Sequence, residues 1–114
     1  MMKDNALYII HIKECLDRIS TYLNGVNKEY FLANTMLQDA VIRNLQVLSE
    51  STQRLSSELK EKYSDIAWHK MSGFRNIIVH EYLSLDIERV WLILENDLPP
   101  LMQAIERMMK DMRV

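Results

Sequence analysis

The chain has 114 residues, the length of one domain, and 48% of them are hydrophobic while 26% are charged. This composition excludes a disordered chain, and the presence of only two Gly and two Pro argues against a small all-β domain with many tight turns. The net charge of −2 excludes a protein that coats nucleic acid with a broadly basic surface. Any nucleic-acid contact must then come from a local patch or from oligomerisation. We expect residues 1–114 to form a single domain.

The single cysteine and the N-terminal segment bear on localisation. Cys15 cannot form an internal disulfide, and this favours a reducing compartment, with Cys15 itself interpreted as a small packing residue of the core. The unbroken apolar run of residues 6–10 is shorter than the core of a signal peptide and far below the ~18 residues of a membrane span. We therefore expect a cytoplasmic protein with no membrane contact.

Apolar residues in the first half of the chain recur at alternating spacings of three and four, which is typical of amphipathic helices. The first helix is predicted to start at a cap formed by Asp4 or Asn5 and to stop at Asn24-Gly25. A second helix is predicted from about Glu29, with a break in the serine-rich residues 51–57. Its stripe consists of Leu37, Val41, Leu45, Leu48, Thr52, Leu55 and Leu59.

The second half of the chain predicts three more helices. One begins near Ile66, after a solvated loop at residues 60–65, and the next is capped by Asp86. Pro99-Pro100 forces a boundary before the last helix, because a proline disfavours helix at the residue before it. About five helices with short connections indicate an all-α, single-domain up-down helical bundle.

One stretch, residues 73–82, concentrates polar side chains around an aliphatic run. It contains Arg75, Asn76, His80 and Tyr82, and Asn76 and His80 lie four apart on one helix face. Arg75 and His80 would be separated by ~140° on an ideal helix, so they converge only if a substrate spans the helix or a second subunit completes the site. The alternative is a structural role, in which glutamates or backbone carbonyls hold a buried arginine or histidine near a helix end.

The chemistry of these groups suits RNA cleavage without a metal ion. Imidazole, with a pKa of ~6.5, can take and return a proton near neutrality, and arginine's planar fork suits a phosphate. His80 is therefore the candidate acid–base group and Arg75 the candidate phosphate-binding group, with Asn76 orienting His80 or a phosphate oxygen. No His/Cys set predicts a metal site and no glycine-rich loop predicts a nucleotide site, so we expect no cofactor.

At these residues the chain resembles the HepT-like toxins of the HEPN superfamily. Arg75, His80 and Tyr82 match the family motif of Arg, four residues, His, one residue, Tyr, and Asn76 is the polar residue that commonly follows the arginine. The similarity extends over nearly the whole chain, through Ala40, Arg43, Leu48-Ser49-Glu50, Ile66-Ala67-Trp68, Gly73, Asp86, Val90-Trp91 and Leu98-Pro99. Many relatives have glycine where this chain has Ser49, and Glu50 is given no catalytic role.

The resemblance implies a metal-independent endoribonuclease toxin that acts as a homodimer, with Arg75 and His80 in its cleft. It also implies a partner, a minimal nucleotidyltransferase antitoxin, which silences the toxin by transferring AMP from ATP onto Tyr82. Two other hypotheses stay open. The first is a non-catalytic HEPN module that binds a nucleotidyltransferase or a nucleotide, and the second is a plain helical interaction domain with a structural polar cluster.

Overall fold

The computed structural model describes residues 2–80 and 84–114, without the side chains of residues 2, 3 and 79. Seven α-helices occur in these described ranges and no strand does. Their bounds are α1 Met2–Tyr22, α2 Lys28–Ala33, α3 Thr35–Gln53, α4 Ser57–Lys62, α5 Trp68–His80, α6 Ile87–Asn96 and α7 Leu98–Met112. The all-α fold class predicted from the sequence is confirmed. The five long helices correspond to the predicted five, and α2 and α4 are short additions.

The helices pack around one hydrophobic core. α1 packs against α3 and α7, α3 also packs against α5, and α6 lies against α7 and α2. The predicted stripes face inward, because apolar side chains at helical spacing leave water together when one face is buried. Fully buried large side chains include Ile9, Ile12, Leu16, Phe31, Val41, Leu45, Leu48, Ile78, Val90, Ile105 and Met108. Cys15 is also buried, as its interpretation as a packing residue requires.

Side-chain caps explain the two short helices. Asn34 separates α2 from α3. Its Oδ1 accepts from the backbone N–H of Leu37 at 2.9 Å and so caps the start of α3. Ser56 starts α4 in the same way, with its Oγ accepting from the N–H of Leu59 at 3.1 Å. Each cap supplies an acceptor to an N–H that lacks a partner in the first turn.

Four predicted boundaries differ from the structure. The solvated loop expected at residues 60–65 starts later, because α4 continues to Lys62. α1 already begins at Met2, so neither Asp4 nor Asn5 is its cap; the buried amide of Asn5 instead exchanges two 3.0 Å hydrogen bonds with Ser56. The helix predicted from Ile66 starts at Trp68. Leu98 begins α7, because prolines in a first turn lack only N–H groups that would have no helical partner there.

Candidate active site

α5 carries three of the four candidate residues, and two anchors fix its position. At its start, the indole Nε1 of Trp68 donates to the backbone oxygens of Lys60 and Tyr63, at 3.3 and 3.2 Å. Further along, Phe74 and Ile78 are buried in the core, on the side of α5 that packs against α3. The other side of the helix is left to solvent. Tyr82, the fourth candidate, lies outside the described residues.

Arg75 occupies an unusual environment for a half-buried arginine. Its Nη1 donates to Asn76 Oδ1 at 3.3 Å, while its Nε is shielded from solvent and has no hydrogen-bond partner within residues 2–80 and 84–114. None of the carboxylates described there forms an ion pair with it. An unsatisfied buried donor costs about 1–3 kcal/mol, so an anionic oxygen arriving at this guanidinium would recover that free energy. The carboxylate-held arginine of the structural alternative is not observed among the residues that the structure describes, which do not include Glu81.

Asn76 connects Arg75 to the exposed face of α5. Its Oδ1 accepts from Arg75. The expected role of its amide in orienting His80 or a phosphate oxygen stays a prediction. Asn76 and His80 are both exposed and four residues apart, so they share one face of the helix. The amide of Asn76 is thus in contact with the guanidinium of Arg75, and His80 lies exposed on the same face of α5.

Arg75 and His80 do not converge within one chain. Both belong to the same uninterrupted helix, so the ~140° angle expected from the sequence separates them, together with a rise of about 7.5 Å. The structure therefore brings Arg75 to Asn76 and aligns Asn76 with His80. It does not by itself place a guanidinium and an imidazole on one phosphate.

A longer exposed stripe on α5 was missed by the sequence analysis. His69, Gly73, Asn76 and His80 follow one another at spacings of four, three and four, and all four residues are exposed. That spacing matches the helix period, so the stripe could have been found from the sequence. The stripe shows that the polar face extends along the whole helix and is not confined to its C-terminal end.

The neighbouring helix α3 clarifies the role of Ser49. The Ser49 hydroxyl is buried and donates to the backbone oxygen of Leu45 at 2.7 Å, and α3 continues unbroken to Gln53. Serine in place of glycine is thus accommodated by a bond within the helix. Glu50 is half-buried and forms no hydrogen bond or ion pair with Arg75 or His80.

Two features are absent from the described part of the chain. Within it, no group of three or more His, Cys, Asp and Glu side chains is arranged to hold a metal ion. Within the same residues, none of the helices combines the length and the apolar character needed to cross a membrane.

Comparisons with known proteins agree on one family. The family described as "Ribonuclease HepT-like" matches residues 12–108. The chain is 30% identical over 109 residues to the "Putative RNase MJ0127" of Methanocaldococcus jannaschii, covering 96% of this chain and 90% of that protein. It is 26% identical over 110 residues to the "Probable ribonuclease HepT" of Thermococcus cleftensis, covering 96% of this chain and 100% of that protein.

A third relative is longer. The M. jannaschii "Gamma-glutamylcyclotransferase and putative RNase MJ0434" is 31% identical over 112 residues, which are 98% of this chain but only 50% of that protein. No solved structure matches the chain. The family match over residues 12–108, together with the half-buried arginine and exposed histidine of α5, shows that this chain belongs to the HepT-like ribonuclease family.

Proposed function

We propose that the protein is an endoribonuclease that cleaves RNA without a metal ion, at a cleft between two copies of the chain. The environment of Arg75 is the observation that supports this proposal. Its side chain is half-buried, and its Nε has no partner among the described residues. Its guanidinium donates to Asn76, and the same helix carries the exposed imidazole of His80. A permanently charged fork with a free donor is suited to a phosphate diester, and membership of a ribonuclease family supports RNA as the substrate.

Two subunits supply what one chain lacks. His80 of one copy removes the proton of a ribose 2′-hydroxyl, and the 2′ oxygen forms a bond to the adjacent phosphorus. The bond from phosphorus to the 5′ oxygen then breaks, and that oxygen takes a proton from the imidazolium of the other copy's His80. Arg75 binds the phosphate oxygens on which charge builds up. The products are a 2′,3′-cyclic phosphate and a 5′-hydroxyl end.

The test is incubation of the purified protein with RNA in the presence of EDTA. We expect cleavage with 2′,3′-cyclic phosphate ends, and a rate lower by about 10²–10⁴-fold for His80→Ala, since a positioned acid–base group contributes that much. Circular dichroism checks that the variant is folded. Cleavage at the wild-type rate by His80→Ala would contradict the assigned role of His80.

We further propose that the protein is a toxin, acts in the cytoplasm and is silenced by a minimal nucleotidyltransferase antitoxin that transfers AMP onto Tyr82. Tyr82 follows His80 by two residues, so adenylate groups on its phenolic oxygen would bring negative phosphates next to the candidate site. These phosphates would compete with RNA for Arg75 and would block the cleft sterically. The support for this step is the resemblance of the Arg75, His80 and Tyr82 motif.

The modification is tested with Tyr82→Phe, which removes only the acceptor oxygen. Incubated with the antitoxin and ATP, this variant is expected to gain no AMP by mass spectrometry and to keep its toxicity. Tyr30→Phe is the matched control, because Tyr30 is 56% exposed and lies on α2. AMP transfer onto Tyr82→Phe as efficient as onto the wild type would refute the role of Tyr82.

A non-catalytic module that binds a nucleotidyltransferase or nucleotide is the second candidate. The ~140° between Arg75 and His80 within one chain favours it, because a docking surface does not need the two groups on one phosphate. Expression of the protein alone distinguishes the two. Growth arrest with RNA degradation supports the nuclease, whereas a harmless protein that is inert towards RNA supports the binding module.

A further inference from the structure

A hollow of about 530 Å³ opens between α5 and α6, beside the exposed stripe of α5. α5 packs mainly against α3, whereas α6 packs against α7 and α2, so the sides of α5 and α6 that face each other are left to line the hollow. Its volume lies within the range of small-ligand sites, about 300–1,000 Å³. Each helix lines it with one face, at the spacing i, i+3, i+4 and i+7: Lys70, Gly73, Phe74 and Ile77 on α5, and Arg89, Leu92, Ile93 and Asn96 on α6.

The two ends of this α5–α6 hollow differ in their distance from the candidate acid–base group. Lys70 Nζ lies 3.7 Å from Asp97 Oδ1, so the start of α5 meets the end of α6 and the two helices run in opposite directions. Arg89, in the first turn of α6, therefore lies at the end of the hollow towards which α5 runs to His80. Ile77, which also lines the hollow, precedes His80 by a rise of about 4.5 Å and a turn of about 60°. His80 thus borders the end of the hollow that contains Arg89.

The walls of the hollow are largely apolar. Phe74 is buried, Ile77 and Ile93 are partly buried, and Leu92 is 51% exposed. Gly73 adds no side chain to this wall, and a Cβ placed on it would meet no atom within 4 Å, so the mouth of the hollow is open to an incoming group. Aromatic and apolar side chains of this kind bind the faces of unpaired nucleobases, which single-stranded RNA presents and a base-paired helix does not.

Polar groups of α6 lie at the rim of the hollow. Arg89 and Asn96 are both exposed there. Within the part of the chain that the structure describes, Arg89 forms no ion pair with a carboxylate, whereas Lys70 at the other end is paired with Asp97. The guanidinium of Arg89 is therefore available to a phosphate, and the amide of Asn96 offers a donor and an acceptor to the edge of a base. Apolar walls, an amide and a guanidinium match the face, the edge and the phosphate of a nucleotide.

The hollow also lies on the path of an RNA strand that crosses α5. Around the exposed face of this helix, steps of about 100°, 40° and 60° lead from one to the next of Arg75, Asn76, His80 and Ile77. A strand that crosses this face from Arg75 to the hollow therefore passes over His80.

We propose that the α5–α6 hollow binds the unpaired nucleobase next to the cleaved bond, with Arg89 on the adjacent phosphate. The substrate is accordingly RNA that is single-stranded at the cleavage site. The proposal rests on the ribonuclease activity of the proposed function and adds a substrate-binding subsite to it. Because the walls and the rim of the hollow come from α5 and α6 of one chain, each copy of the protein contains a complete subsite.

Binding of an oligonucleotide that cannot be cleaved tests the subsite separately from catalysis. The probe is fluorescein-labelled single-stranded 2′-fluoro RNA, which lacks the 2′-hydroxyl proton that His80 is proposed to remove. Gly73→Leu places a side chain in the mouth of the hollow and is expected to weaken binding about tenfold or more by fluorescence anisotropy, the usual loss for one base contact. Gly73→Ala is the matched control, because its Cβ enters open space, and it is expected to bind as the wild type does. Circular dichroism checks that both variants are folded.

A series of probes, each with one abasic nucleotide, identifies the bound base. At one position, loss of the base is expected to weaken binding to the wild type about tenfold and to leave binding to Gly73→Leu unchanged, because that variant has already lost the contact. A structural defect in Gly73→Leu would not give this dependence on a single position. If the losses from Gly73→Leu and from the abasic nucleotide multiply at every position, the proposal is wrong.

Arg89→Ala tests the phosphate contact through its salt dependence. Loss of one phosphate contact on a single strand is expected to lower the slope of log Kd against log salt concentration by about 0.7. Arg18→Ala makes the same change at an exposed arginine of α1 and is expected to leave the slope unchanged. An unchanged slope for Arg89→Ala would contradict the proposed contact.

RNA cleavage measured on the same proteins separates the subsite from the proposed function. A wild type that binds the probe through the hollow but does not cleave RNA keeps the subsite and removes the nuclease. A wild type that cleaves RNA, with Gly73→Leu binding the probe equally well, keeps the nuclease and removes the subsite. A Gly73→Leu variant that changes self-association in sedimentation but not probe binding would show that the hollow contacts protein, and a wild type that does not bind the probe would also overturn the proposal.

Discussion

Arg75 on α5 and Arg107 on α7 are two arginines with opposite surroundings. Arg107 Nη2 donates to Asp65 Oδ2 at 2.8 Å, and its guanidinium carbon lies 5.6 Å from the centre of the Tyr63 ring. The Tyr63 hydroxyl in turn donates to Asp111 Oδ2 at 2.6 Å. Arg75 has only the amide of Asn76 and an Nε without a partner among the described residues.

The difference separates a structural site from a candidate binding site. The groups around Arg107 satisfy one another and fasten the α4–α5 connection to α7, so an incoming anion would have to displace a carboxylate. Arg75 has no carboxylate to displace within the residues that the structure describes. The comparison indicates that charge satisfaction, and not residue type, distinguishes the arginine that is available to a phosphate.

The largest expected effect is that substitution of Arg75 lowers RNA cleavage, whereas substitution of Arg107 lowers stability. Arg75→Ala is expected to lower RNA cleavage by about 10²–10³-fold, the usual cost of losing one preorganised donor. Little stability is expected to be lost, because the one hydrogen bond that disappears is the 3.3 Å contact with the exposed Asn76. Arg107→Ala is expected to leave cleavage unchanged and to lower the thermal midpoint slightly. Cleavage rates and thermal unfolding on both variants test this. An equal loss of RNA cleavage in the two variants would contradict the distinction between a binding arginine and a structural arginine.

Tyr63→Phe sharpens the structural side of the comparison. It removes a hydrogen bond from a buried tyrosine to a carboxylate and is expected to destabilise the fold by about 1–2 kcal/mol, measured by denaturant unfolding. The bond to Asp111 raises the pKa of Tyr63 above its usual range. Its stabilisation is thus complete below pH ~10 and lost at higher pH, as Tyr63 ionises in the folded protein, and Tyr63→Phe is expected to lack that alkaline loss.

Gly73→Ala changes the exposed stripe of α5 without removing a polar group. It tests whether the packing of the chain requires glycine at this position. Because the added Cβ meets no atom within 4 Å, the variant is expected to unfold at higher denaturant concentration, by up to about 1 kcal/mol in stability. A destabilised Gly73→Ala would show that glycine serves the packing of the chain itself.

The smallest expected effect is on the stability of the fold at acidic pH. The hydrogen bond from Arg107 holds the pKa of the Asp65 carboxyl below its usual range, so this contact stabilises the fold above the ordinary aspartate pKa of ~3.9. As the pH falls and Asp65 becomes protonated in the folded protein, that contribution is lost. Asp65→Asn is expected to flatten the acid side of a plot of stability against pH. An unchanged slope would show that the Asp65–Arg107 contact contributes nothing in solution.

Much of the fold followed from local patterns. Ile9, Ile12 and Leu16 lie on the buried face that their spacing predicted, and Asp86 caps α6 by accepting from the N–H of Glu88 at 3.1 Å. Gly25 lies in the turn after α1 and has the left-handed φ of +74° that its position as a helix stop suggested. Asn5 was misassigned, because its partner Ser56 is fifty-one residues away and no local pattern contains that distance.

The candidate site was predictable in its membership but not in its geometry. The motif identified Arg75, Asn76 and His80, and the helix period gave the angle between Arg75 and His80 before any coordinates. The bond from Arg75 to Asn76 and the shielding of Nε from solvent are side-chain arrangements that the motif and the helix period do not contain. The roles of Arg75, His80 and Tyr82 stay predictions until the RNA and AMP-transfer experiments are done.

The sequence by itself determined the helices, their inward faces and the family, because hydrophobic period, caps and motif spacing are properties of short stretches of chain. Only the tertiary structure decided which polar groups are satisfied. Arg107 meets Asp65 across forty-two residues, whereas Arg75 meets no carboxylate in the described part of the chain. Whether a charged side chain has a partner depends on which helices become neighbours. The helices become neighbours when the hydrophobic core is buried as a whole.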